Sequence, residues 1–242
     1  MNVYRITAIA VGVLYIIGTA AGILSVSVAL PIVDAPDDLV QSSANANQVI
    51  FGALLVLTMG LALAMVPVLM YPILKTYNQV LALGYVVFRG ALETVTYMAM
   101  AISWLVLINA SQSYVQSGVP AASGLQALGA LVLAAQDSIR SILEIVFPLG
   151  ALMFYAVLYQ SKLIPRWLSD WGLIAAVVWL AAGLLGMFQL IAPMSAPQLV
   201  LSLPIALQEM VLAVWLIVKG FNADAIAAGS SQAGVARYQP AQ

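Results

Sequence analysis

The chain has 242 residues, of which 64% are hydrophobic and 7% charged, where a soluble domain carries roughly a quarter charged residues. With a mean hydropathy of +1.05 it reads as an integral membrane protein. A net charge of -1 supplies no basic footprint for nucleic acid. A histidine and a cysteine count of 0 exclude disulfides, thiolate nucleophiles, Ser/His/Asp triads and nearly every transition-metal site. Chemistry is left to Glu, Asp, Arg, Tyr and the backbone, and no catalytic residue, metal ligand or cofactor is expected.

Six apolar runs are long enough to cross a hydrocarbon layer of ~30 Å, which takes about 20 helical residues. They lie at 6–30, 48–74, 80–108, 138–159, 168–191 and 199–218. The first is longer than the core of a cleavable signal peptide and reads as a retained span. Backbone groups in lipid must be satisfied internally, and the runs lack barrel-type alternation, so each is expected to be a helix. The expected fold is all-α: a six-helix transmembrane bundle over 1–222, then an Ala/Gly/Ser/Gln-rich disordered cytoplasmic tail over 223–242.

Between the runs, Arg5, Lys75, Lys162, Arg166, Lys219 and Arg237 fall at the two ends and in the second and fourth connections. The first connection holds Asp34, Asp37 and Asp38 and no cation. This split predicts that both termini are cytoplasmic. The clustering of Tyr4, Tyr71, Tyr77, Tyr159, Trp167, Trp171 and Trp215 at the same ends agrees with an interfacial aromatic belt. The long third connection, 109–137, reads as a polar loop followed by an apolar, helix-compatible piece. That piece either extends the fourth helix or lies on the outer interface, or forms a lid over a cavity.

Charges inside the runs are the candidate site. Arg89 and Glu93 lie in the third run, Arg140 and Glu144 in the fourth, Glu209 in the sixth with Gln208 beside it. A charge near the bilayer centre costs at least ~2.5 kcal/mol, so these residues should face the protein interior and find partners. Counting helical rise from the expected cytoplasmic boundary puts Arg89 and Glu209 both roughly 15 Å deep. Both Arg/Glu pairs have the base amino-terminal to the acid, the less favourable order for an i,i+4 pair. Pairing between helices is therefore expected: Arg89 with Glu209, and Glu93 and Glu144 within reach of Arg140. Three glutamates against two arginines leave one carboxylate in surplus, and Glu209, with no arginine four residues before it, is the expected one.

The segments YRITAIAVGVLYIIGTAAGILS, LGYVVFRGALETV and YQSKLIPRWLSDWGLIAA together resemble a family of uncharacterised bacterial six-helix membrane proteins, domain of unknown function 4386. The likeness runs from about residue 4 to 218, and its most distinctive part is the Ser161, Pro165, Arg166, Leu168 connection. The resemblance implies a bacterial cytoplasmic (inner) membrane protein and supplies no activity. In that connection Pro165 is expected to begin a turn and Ser169 to cap the fifth helix.

Two functional classes follow from the charges. In the first, Arg89, Glu93, Arg140, Glu144, Gln208 and Glu209 line a central cavity that binds or transports a small polar or amphipathic ligand or a lipid. In the second, the same residues form an ion network that only holds the bundle of a structural or regulatory subunit, whose cytoplasmic connection docks an oligomer or protein partner. An intramembrane carboxylate enzyme is the least favoured, because no nucleophile and base pair is legible.

Overall fold

A computed structural model describes residues 2–34, 38–116, 119–192 and 195–229. They are helical almost throughout, with no strand among the described residues. In chain order the elements are α1 (Val3–Val33), α2 (Asp38–Ala44), α3 (Ala46–Leu74), α4 (Gln79–Tyr85), a π-helical segment (Val86–Leu92), α5 (Glu93–Gln116), α6 (Val119–Ser161), α7 (Arg166–Met187) and α8 (Ala196–Val218). Among the described residues six helices are long and apolar enough to span a membrane, α4 to α5 counting as one.

The third connection departs from expectation in its polar part, while its apolar part extends the fourth helix as one reading expected. Its polar part continues α5 to Gln116 and its apolar part belongs to α6, so the predicted loop is mostly helix. Short polar side chains are accommodated because they bond back to the preceding turn. Asn109 donates to Leu105 O at 3.1 Å and Ser111 to Ile108 O at 2.7 Å. The 43 residues of α6 extend roughly 65 Å, about twice the hydrocarbon thickness. The fifth span is shorter than expected, ending at Met187. Its N-cap is Pro165, not Ser169, which is buried within the first turns. Residues 223–229, expected to begin the disordered tail, form a helical turn held by a 2.7 Å hydrogen bond from the Tyr77 hydroxyl to Ala225 O. Asp37, residues 117–118 of the expected loop and the tail beyond 229 lie outside the described residues.

The chain forms two compact units: residues 1–16, 63–93 and 144–242, and residues 17–62 and 94–143. In the first, Arg5 donates to the carbonyls of Leu216, Ile217 and Val218 at 3.2, 2.6 and 3.3 Å, capping the carboxyl end of α8. The second is centred on an apolar cluster that includes Ala29, Val33, Val49, Ala53, Trp104 and Leu107. Within it Trp104 Nε1 donates to Gln136 Oε1 at 3.2 Å.

Candidate functional site

The first unit buries an arginine. Arg89 is 2% exposed and sits in the π-helical segment, whose wider turn holds more than four residues. One expectation is reversed: Arg89 pairs along its own chain as well as between helices. Arg89 Nη1 meets Glu93, which is 0% exposed, at 3.1 Å. The segment is hemmed in by its neighbours: Gly90 faces Pro67 of α3, and a Cβ at Gly150 of α6 would lie 3.2 Å from Arg89 N. A side chain at 150 would press on the π segment, which would have to give by a few tenths of an ångström.

The other half of the guanidinium serves α8. Arg89 Nη2 donates to Glu209 Oε1 at 3.0 Å, as the depth of the two residues predicts. Glu209 is thus not the acid without a cation. Instead two carboxylates share one arginine, and Glu209, at 13%, is the more exposed of them. The faces of the guanidinium are covered by rings, Phe147 at 4.5 Å and Tyr15 at 5.8 Å, which supply cation–π attraction in a dry setting.

An aromatic and amide shell continues from there. The hydroxyls of Tyr15 and Tyr85 are 3.3 Å apart, Tyr85 stacks on Phe154 at 4.4 Å, and Phe154 packs against Tyr155. Tyr155 donates to Gln208 Oε1, and Gln208 Nε2 donates to Leu168 O at 3.0 Å, tying α6, α7 and α8 together. Gln208 is 0% exposed with both ends of its amide satisfied. Sequence reasoning missed Tyr15, Tyr85 and Tyr155. Their positions inside the apolar runs were the available signal, since a buried phenol seeks a hydrogen-bond partner.

Of the six expected residues, the structure therefore brings Arg89, Glu93, Gln208 and Glu209 together. Glu144 also lies in the first unit, where Gln198 of α8 donates to it and Gly183 and Gly186 of α7 leave room for it. Arg140 falls in the second unit. Its charge acts there on Asp34, as does that of Asp137. Within the first unit Glu93 meets Arg89 and Glu144 meets Gln198. Among the described residues no group of acidic side chains could hold a metal ion.

A family model described as Domain of unknown function (DUF4386) matches residues 10–220. No curated protein and no solved structure matches the chain.

Proposed function

Since the chain belongs to the Domain of unknown function (DUF4386) family, we propose a function from its buried charges: a multi-pass protein of a bacterial cytoplasmic membrane, with both termini inside, that binds a small polar ligand through a cationic group at Glu209. One observation carries this reading. A single buried arginine faces two buried carboxylates, and a surplus charge in a low-dielectric site must be met by a proton or a cation. Glu209 is where either would arrive, being the more exposed acid, with Tyr15 and Tyr155 hydroxyls in its field.

The test is thermal melting of the detergent-purified protein from about pH 5 to about pH 9, with and without sodium, potassium or choline. The parent should show a cation- or pH-dependent shift that Glu209→Gln abolishes while keeping its fold. A second reading, an ion network that only joins helices, is favoured by the tight packing at Gly150 and the full burial of Gln208. Under it the parent melts independently of added cations, and Glu209→Gln destabilises at every pH.

A further inference from the structure

Two hollows in the first unit share a wall and differ in chemistry. One, of about 360 Å³, lies where α6 ends, α7 begins and α8 ends, and its lining includes Lys162, Arg166, Lys219, Trp215, Phe221 and Asn222. The other, of about 450 Å³, runs along α8 past Leu207, Val211, Val214 and Val218 and includes the same Trp215 and Lys219. The first has three cations and no acidic side chain in its lining; the second is apolar apart from Lys219. Both volumes fall in the ordinary range for ligand sites, ~300 to 1,000 Å³.

The basic hollow is built by fixed backbone. Lys162 and Gly220 adopt left-handed φ values of 56° and 73°. Asn222 N donates to Leu163 O at 2.9 Å, and Asn222 Nδ2 to Lys162 O at 3.4 Å, so the α6–α7 connection is tied to the segment after α8. Arg166 is held with its guanidinium 5.2 Å from the Tyr159 ring centroid, and Trp167 meets Trp215 edge to face. Two features of this arrangement are unfavourable without an anion. Three like charges line one hollow, and a cation stands in the first turn of α7, whose N-cap Pro165 offers no side-chain acceptor. The opposing partial charge at the end of α8 is already taken up by Arg5.

We propose that the two hollows together form a site for an anionic phospholipid, with the phosphate among Lys162, Arg166 and Lys219 and one acyl chain along the α8 groove. Basic pockets between spans at an interface recognise anionic head groups in this way. A free phosphate would account for the cations but would leave the groove that begins at the same two residues without an occupant.

The experiment is native mass spectrometry and melting of the full chain in neutral detergent, with phosphatidylglycerol, phosphatidylcholine of the same chains, or glycerol phosphate. Phosphatidylglycerol should bind as a discrete adduct and raise the melting temperature, and the other two should not. Lys162→Asn combined with Lys219→Gln removes two exposed cations, and asparagine tolerates the left-handed φ. This variant should bind phosphatidylglycerol about thirtyfold more weakly, while Lys75→Gln binds as the parent does. Equal affinity in the parent and the double variant, or equal binding of phosphatidylcholine, overturns the proposal. Glycerol phosphate matching phosphatidylglycerol overturns the lipid assignment and leaves an anion site. Should the double variant not fold, the lipid comparison on the parent alone decides.

Discussion

In the unit of residues 1–16, 63–93 and 144–242, Arg89 is among the largest fully buried side chains, and three buried tyrosines, a glutamine and two acids are arranged about it. In the unit of residues 17–62 and 94–143, the corresponding place is held by Trp104 among alanines, valines and leucines, with a bond to Gln136. Both units come from runs of similar apolarity. Lipid tails are as apolar as leucine, so helices in a membrane associate through packing and polar bonds and not through burial as such. The second unit relies on packing, and the first adds charge. Charge costs more to leave unpaired than an amide does, which makes the first unit the more sensitive to substitution.

The comparison can be broken most decisively at Arg89. Arg89→Leu leaves two buried acids without a cation and should cost about 3 to 5 kcal/mol. Adding Glu93→Gln and Glu209→Gln should recover much of it. Melting of the single, double and triple variants measures the coupling, and purely additive losses would mean that the three are not one network.

A smaller effect is expected from crowding the π segment. Gly150→Leu pushes side-chain atoms toward Arg89 N, from which even a Cβ would be 3.2 Å away, and overpacking of this kind costs about 1 to 3 kcal/mol. In the second unit, Gln136→Leu removes the bond from Trp104 at nearly constant side-chain size. Hydrogen bonds between membrane helices average about 0.6 kcal/mol, so the loss should be near that value. A loss as large as that of Arg89→Leu would erase the contrast between the units.

Asp34, just beyond the end of α1, should matter least. Burial pushes its carboxyl up from the usual value, with Arg140 partly opposing and Asp137 adding to the shift. A raised folded value means that the folded state binds the proton more tightly than the unfolded one. The stabilisation is complete below the unfolded value and is lost as pH rises through the folded one. Asp34→Asn should therefore raise the melting temperature slightly at neutral pH, by about a degree after solvent screening, and leave it unchanged in acid. An equal gain at both pH values would exclude titration of Asp34 as the cause.

Composition and run length alone determine that the chain is all-α and has six spans, because a helix is the only way a lone apolar segment can satisfy its backbone in lipid. Depth counting also foretells that Arg89 meets Glu209, since the rise per residue is the same in every helix. The remaining partners are beyond that arithmetic. A π turn at Val86–Leu92 has no one-residue signature, and it lies against Pro67 and Gly150. Gln198 reaches Glu144 because α7 presents Gly183 and Gly186 beside it, and Arg140 is drawn into the other unit with Asp34. Spans are local events governed by hydration of the backbone, whereas the partners of buried charges depend on which helix faces which, and only the packed structure decides that.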